Sequence, residues 1–257
     1  MVGMLESFFG LKRDRAHDRR ESRVPDGKRV YAIGDIHGRP DLLRKIHELI
    51  LEDAEGREPA ENIVIYLGDY VDRGHDTRGV LDILTGQPLP GFRSIHLMGN
   101  HEDFMVRFLE DPKVGPPWIV NGGNATLQSY GVSLQKVYNE EALKEGRNQL
   151  MSRLPPPHWM FLQGLKTHHI EGDFLFVHAG IRPGVPTAEQ EPQDMMWIRD
   201  DFLTSEAEHD HVVVHGHSIN PKAEILDNRI GIDTGAYDTG KLTCLVLDGG
   251  KKDLLNT

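Results

Sequence analysis

The chain has a single cysteine in 257 residues, Cys244. That scarcity excludes an internal disulfide framework and any metal site built from thiolates, and it suits a reducing, cytoplasmic setting. No apolar run approaches the roughly 18–20 residues needed to cross a bilayer, and Met1–Phe9 is short, carries Glu6 and lacks a cleavage-like site. Neither membrane insertion nor export is expected. Positive charge is also in deficit: 29 Lys+Arg against 40 Asp+Glu leave a net charge of −11, which argues against broad nucleic-acid binding. What is present is a hydrophobic fraction of 38%, enough for a core of one domain, and 14 histidines beside the 40 carboxylates. That pairing points to metal chemistry.

The first thirty residues hold eight Lys/Arg and five Asp/Glu, so the remainder carries −14. Lys12 to Arg23 is almost free of apolar side chains, and residues 1–28 read as a flexible N-terminal tail before a catalytic domain of residues 29–257. Leu5, Phe8, Phe9 and Leu11 make at most a weak docking stripe. From Arg29 onward, five short apolar runs end in Gly-Asp, Gly-Asn or His: RVYAI, NIVIYL, SIHLM, DFLFV and HVVV. Asp35 and Asp69 are 34 residues apart and Asp69 and Asn100 are 31 apart, each close to the roughly 30 residues of one βαβ unit. Parallel strands follow, with helices over Asp41–Glu52 and Gly79–Leu84. The stretch Asp103–Lys166 reads as helices and a Pro-rich loop at Pro155, Pro156 and Pro157. Near the end, IGIDTGAY and KLTCLVLDG read as a hairpin added to a second sheet.

Ligands collect at the carboxyl ends of strands in open α/β sheets, and there the sequence places Asp35, His37, Asp69, Asn100, His178 and His217. Six oxygen and imidazole donors suit manganese foremost, with iron or zinc as alternatives. A carboxylate has two oxygens and can bridge two ions, and Asp69 lies on the middle strand of the first three. Any one of these residues could instead cap a helix or satisfy a buried amide. Their conjunction carries the weight.

The motifs GDIHG (34–38), GDYVDRG (68–74), GNHE (99–102), HAG (178–180) and Gly216-His217 resemble those of PPP-type protein phosphatases, in the calcineurin-like metallophosphoesterase superfamily. The resemblance runs from about Arg29 to the last strand. It implies a two-sheet β-sandwich flanked by helices and hydrolysis of phosphomonoesters at a dinuclear centre. Asp35, His37 and Asp69 would hold one ion, and Asp69, Asn100, His178 and His217 the other. Two cations about 3.5–4 Å apart would lower the pKa of a shared water for in-line attack. His101 would be the general acid, Asp72 its partner, and Arg73 the phosphate fork, with Arg199 in WIRD a second phosphate arginine and Asn100 also near the phosphate.

The C-terminal IDTGA segment and the Trp118-x-x-Asn-Gly-Gly stretch resemble the bacterial and phage branch, whose members act on phosphotyrosine as well as phosphoserine and phosphothreonine. The expected partners are therefore phosphorylated proteins; the oligomeric state stays open. The Trp118 stretch reads equally as cleft lining or as a helix-packing turn. His215 reads as a supporting or structural residue, His75, His168, His169, His209 and His211 as solvated, and Cys244 as an apolar filler. Two other functions compete. A symmetrical dinucleoside tetraphosphate hydrolase shares the fold, but Asp72 and Glu102 favour the phosphatase. A non-catalytic scaffold would be expected to have lost donors that are all here.

Overall fold

The structure is a computed structural model that describes residues 21–86, 89–134 and 136–257. Strands β1 (Lys28–Ile33), β2 (Glu61–Tyr66) and β3 (Arg93–His96) pair in parallel, with α1 (Pro40–Glu55) and α2 (Thr77–Gly86) as their crossovers. Pro40 opens α1 at a position whose missing N–H costs nothing. Leu43, Ile46 and Ile50 follow at helical spacing and are buried. The chain then runs through α3 (Asn100–Glu110), α4 (Gly115–Trp118), a π-helical turn at Ile119–Gly123, α5 (Asn124–Ser129), α6 (Glu140–Arg153) and α7 (Pro156–Gln163). The prolines at 155–157 thus do not form a loop. They occupy the N-cap and first turn of α7, where their fixed φ fits the helix.

A second sheet follows: β4 (His168–Glu171), β5 (Phe174–Val177), β6 (Val212–His215), β7 (Glu224–Ile225) and β8 (Arg229–Gly231), with α8 (Pro192–Trp197) and α9 (Asp200–Leu203) between β5 and β6. Its order is β4-β5-β6-β8-β7. After α10 (Ala236–Thr239), β9 (Thr243–Asp248) and β10 (Lys251–Asn256) return to the first sheet, whose order is β10-β9-β1-β2-β3. The expected hairpin between IGIDTGAY and KLTCLVLDG does not exist: β8 and β9 lie in different sheets. Gly235 takes a left-handed conformation and starts α10 there, and the Thr234 hydroxyl donates to Lys241 O. The true hairpin is β9–β10.

The two sheets face one another across Val30, Ala32, Ile63 and Ile65 on one side and Phe174, Phe176, Val212 and Val214 on the other. The opposite face of the first sheet, with Tyr31, Ile33, Val64 and Tyr66, is covered by helices. Leu175, Val177 and Val213 on the second sheet pack on Met195, Ile198 and Phe202. Strands covered on both faces need no polar alternation, which is why they read as unbroken apolar runs. The result is a pair of mixed sheets flanked by helices.

The expected tail of residues 1–28 falls outside the described residues as far as residue 20, and so does the Leu5–Leu11 stripe. Residues 21–28, by contrast, join the domain: Val24 is buried between the sheets, its N–H donates to Gly249 O, and Arg23 N donates to Asp173 Oδ2. No helix among the described residues is long and apolar enough to cross a membrane.

Candidate metal centre

Asp35, Asp69 and Asn100 follow β1, β2 and β3, while His178 and His217 follow β5 and β6. The carboxyl ends of the two sheets therefore converge. Asp69 stands between them: Oδ2 is 3.3 Å from His37 Nε2 and Oδ1 is 3.4 Å from His178 Nε2. Among the described residues, His37, Asp69 and His101 form one group of potential donors and Asp69, His178 and His217 another, with donor atoms within 4.8 Å of one another in each. Such proximity requires tight backbone turns. A Cβ on Gly74 would sit 2.0 Å from His37 O, and Gly68, at φ +105°, would press one against Gly99 N. His37, Asp69, Asp72, Arg73 and His217 also take left-handed backbone despite carrying side chains. Strain of this kind gathers at functional sites.

The donor chemistry fits cations. His178 Nδ1 donates to Leu67 O at 2.9 Å, which leaves a lone pair on Nε2 of the neutral ring. That lone pair faces Asn100 Oδ1 at 3.0 Å and Asp69 Oδ1, both acceptors, with His217 Nδ1 at 3.2 Å. His37 repeats the pattern: Nδ1 donates to Val71 O at 2.8 Å, and buried Nε2 has no hydrogen-bond partner. Burial pushes the His37 imidazole down to about 3 and that of His217 to about 2, so both rings are neutral at ordinary pH. Acceptors facing acceptors in a dry pocket call for a positive ion.

Asp35 is placed less simply. Its two carboxylate oxygens each accept from His217 N–H at 3.1 Å, and it lies outside the two donor groups above; His101 stands with His37 and Asp69 instead. Burial, Asp233 and Asp69 push the Asp35 carboxyl well above its ordinary range. A nearby cation would reverse that.

His101 Nδ1 donates to Asp72 Oδ2 at 2.7 Å, and its Nε2 lies 3.9 Å from Asp69 Oδ2. Burial opposes a charge on this ring, but Asp69 and Asp72 outweigh it and raise the imidazole above its ordinary value. Arg73 is partly exposed, its guanidinium 5.0 Å from the Tyr237 ring, and its N–H donates to Gly122 O at 3.2 Å. Arg199 is exposed on the second-sheet side, with Nη1 3.5 Å from Ser218 Oγ, next to His217.

Several neighbours support the donors through contacts that the sequence did not reveal. Glu102 accepts from the N–H groups of Asp69, Tyr70, Val71 and Gly99 at 2.8–3.1 Å, fixing the loop that carries Asp69. Trp118 Nε1 donates to Asp72 Oδ2 at 2.8 Å, so its stretch is neither a simple cleft lining nor only a packing turn. Thr126 Oγ1 donates to Asp72 Oδ1 at 2.5 Å. Asp233 follows β8 as the earlier donors follow their strands, and that position was its available signal. His215 is buried, edge-on to Phe202 and close to Gly231, outside both donor groups. Of the histidines expected to be solvated, only His75 is exposed. His168, His169, His209 and His211 are half-buried, and His169 pairs with Glu171.

Residues 28–240 match the family model described as calcineurin-like phosphoesterase, and the chain belongs to that family. It is a phosphoesterase whose His/Asp groups suit metal ions. Serine/threonine-protein phosphatase 2 of Escherichia coli (strain K12) is 24% identical over 223 residues, covering 84% of this chain and 91% of that protein. An asymmetrical bis(5'-nucleosyl)-tetraphosphatase of Anoxybacillus flavithermus is 26% identical over 236 residues, covering 83% and 88%. Among solved structures, a diadenosine tetraphosphatase candidate superposes with a TM-score of 0.59 at 18% identity, covering 92% of this chain and 98% of that one. That likeness is one of fold.

Proposed function

We propose that the protein is a dinuclear, metal-dependent phosphoprotein phosphatase acting on phosphoserine and phosphothreonine and also on phosphotyrosine. The observation that carries this reading is the His101–Asp72 pair, aimed at Asp69 where the two donor groups meet. Asp35, His37 and Asp69 are assigned to one ion, and Asp69, Asn100, His178 and His217 to the other. Two divalent ions there, manganese foremost, would neutralise phosphoryl oxygens and lower the pKa of the attacking water.

The chain's own residues supply the rest. Arg73 offers a planar fork to two phosphoryl oxygens, and Arg199 a second cation from the opposite side. Asp72 holds His101 by Nδ1, leaving Nε2 free to deliver a proton to the departing oxygen. A serine alkoxide cannot leave without that proton, whereas a nucleoside polyphosphate can. An aimed acid is therefore worth most on alkyl phosphomonoesters.

A second reading, dinucleoside tetraphosphate hydrolysis, draws support from the name of the Anoxybacillus relative. The deciding experiment measures kcat/KM of the metal-loaded protein on phosphoserine, phosphothreonine and phosphotyrosine peptides and on diadenosine tetraphosphate, with metal content read in parallel. At least tenfold preference for a phosphopeptide is expected. The reverse preference would replace this proposal with the second reading, and no release even from para-nitrophenyl phosphate would leave a scaffold.

A further inference from the structure

Asp72 is fully buried, and both oxygens of its carboxylate are engaged. Oδ2 accepts from His101 Nδ1 and Trp118 Nε1, and Oδ1 accepts from Thr126 Oγ1. The Asp72 backbone N–H in turn donates to Thr126 Oγ1 at 2.9 Å and to Thr77 Oγ1 at 3.1 Å. Thr126 thus grips Asp72 from both its main chain and its side chain, at a residue with φ 71°.

Trp118 is equally constrained. Its ring packs on Phe108 with centroids 4.8 Å apart, and Gly123 lies so close that a Cβ there would be 2.5 Å from the indole. The segment Ile119–Gly123 directly follows Trp118 and is kinked at Gly122, whose φ of 117° is non-helical and whose carbonyl receives Arg73 N–H. One short segment therefore touches both the partner of the proton donor and the backbone of the phosphate-binding arginine. A ring that only filled space would be satisfied by any carbonyl for its N–H. This one meets the carboxylate that holds His101.

We infer that Trp118 and Thr126 are positioning residues for proton delivery: they fix the Asp72 carboxylate so that His101 Nε2 points at the leaving oxygen. The Trp118–Gly123 segment couples that aim to the placement of Arg73. The inference rests on the phosphomonoesterase reading above and adds the residues that make its acid effective.

Trp118→Phe keeps the ring and removes the N–H; Thr126→Val keeps the shape and removes the hydroxyl. Each is expected to lower kcat on a phosphoserine peptide about tenfold, the size of one hydrogen bond to a charged group. The loss on para-nitrophenyl phosphate, a good leaving group, is expected to be several-fold smaller, with two ions per chain retained. Combined with Asp72→Asn, Trp118→Phe should add no further loss, because both act through the same carboxylate. In 1H-15N spectra the Trp118 indole N–H should exchange slowly and move upfield in Asp72→Asn. Equal losses on both esters, full additivity with Asp72→Asn, or a fast-exchanging indole N–H would overturn the inference. If the wild type cleaves diadenosine tetraphosphate and no phosphomonoester, the functional reading falls by itself. The exchange measurement and the same additivity cycle on the dinucleotide then still decide whether Trp118 acts through Asp72.

Discussion

His178 Nε2 lies 3.4 Å from Asp69 Oδ1, and these two residues follow strands of different sheets. The contact joins two lone-pair donors, so the sheet ends repel there until a positive charge separates them. Metal binding and the docking of the sheet ends should therefore be linked.

Chelation should lower Tm, and adding Mn2+ back should raise it, by about 2.7 kcal/mol of stability at one hundred times the dissociation constant. Asp69→Asn should bind less than one ion per chain, lose all measurable turnover and show no Mn2+ response in Tm. Elemental analysis with calorimetry checks this; two retained ions would refute the bridging assignment.

On the proposed acid role, replacing His101 with asparagine removes the proton donor. Metal content should stay at the wild-type level while kcat on a phosphoserine peptide falls about 10²–10⁴-fold. The fall on para-nitrophenyl phosphate should be smaller. Steady-state kinetics on both esters tests the acid role, and equal losses would count against it.

For Arg73→Ala the expected change is in binding. KM for phosphopeptide and Ki for inorganic phosphate should each rise about tenfold, reflecting a lost charge-assisted fork. Competition assays with phosphate measure it, and unchanged constants would assign the role elsewhere.

The pH dependence of stability can be read at His47, which lies outside both donor groups. Burial pushes its imidazole down to about 4 from an ordinary 6.5, and its Nε2 is hydrogen-bonded to the Tyr66 hydroxyl at 2.8 Å. The fold thus favours the neutral ring. Its contribution is complete above pH 6.5 and declines towards pH 4 as the unfolded chain takes up a proton that the folded one refuses. Between pH 7 and 4.5, metal-free wild type should therefore lose more Tm than metal-free His47→Gln. Parallel slopes by calorimetry would contradict this.

Much of the architecture was legible because strands sandwiched between two layers announce themselves as uninterrupted apolar runs, each ending at a donor such as Asp35 or His178. Sheet membership was not. KLTCLVLDG is apolar on both faces and would suit either sheet; its place beside β1 is fixed by partners far away, including the Arg29–Asp248 ion pair. Strand β10 escaped notice because KKDLLN sits at a sheet edge, where charges replace the apolar pattern.

Within the site, the donors were visible as motifs, but their supports were not. Thr126 stands 54 residues from Asp72 and Trp118 46 residues away, and nothing local in either segment reveals the contact. Glu102 lay inside a motif, yet its work of holding four amides is a property of the folded loop.

The convergence of two sheets also means that, on the proposed assignment, neither half of the polypeptide carries all six donors. Asp35, Asp69 and Asn100 are synthesised long before His178 and His217, and β1 acquires its β9 neighbour only when residue 248 has emerged. Translation stalled midway, or a cut between the halves that lets them part, should then yield pieces that lack the proposed two-ion activity.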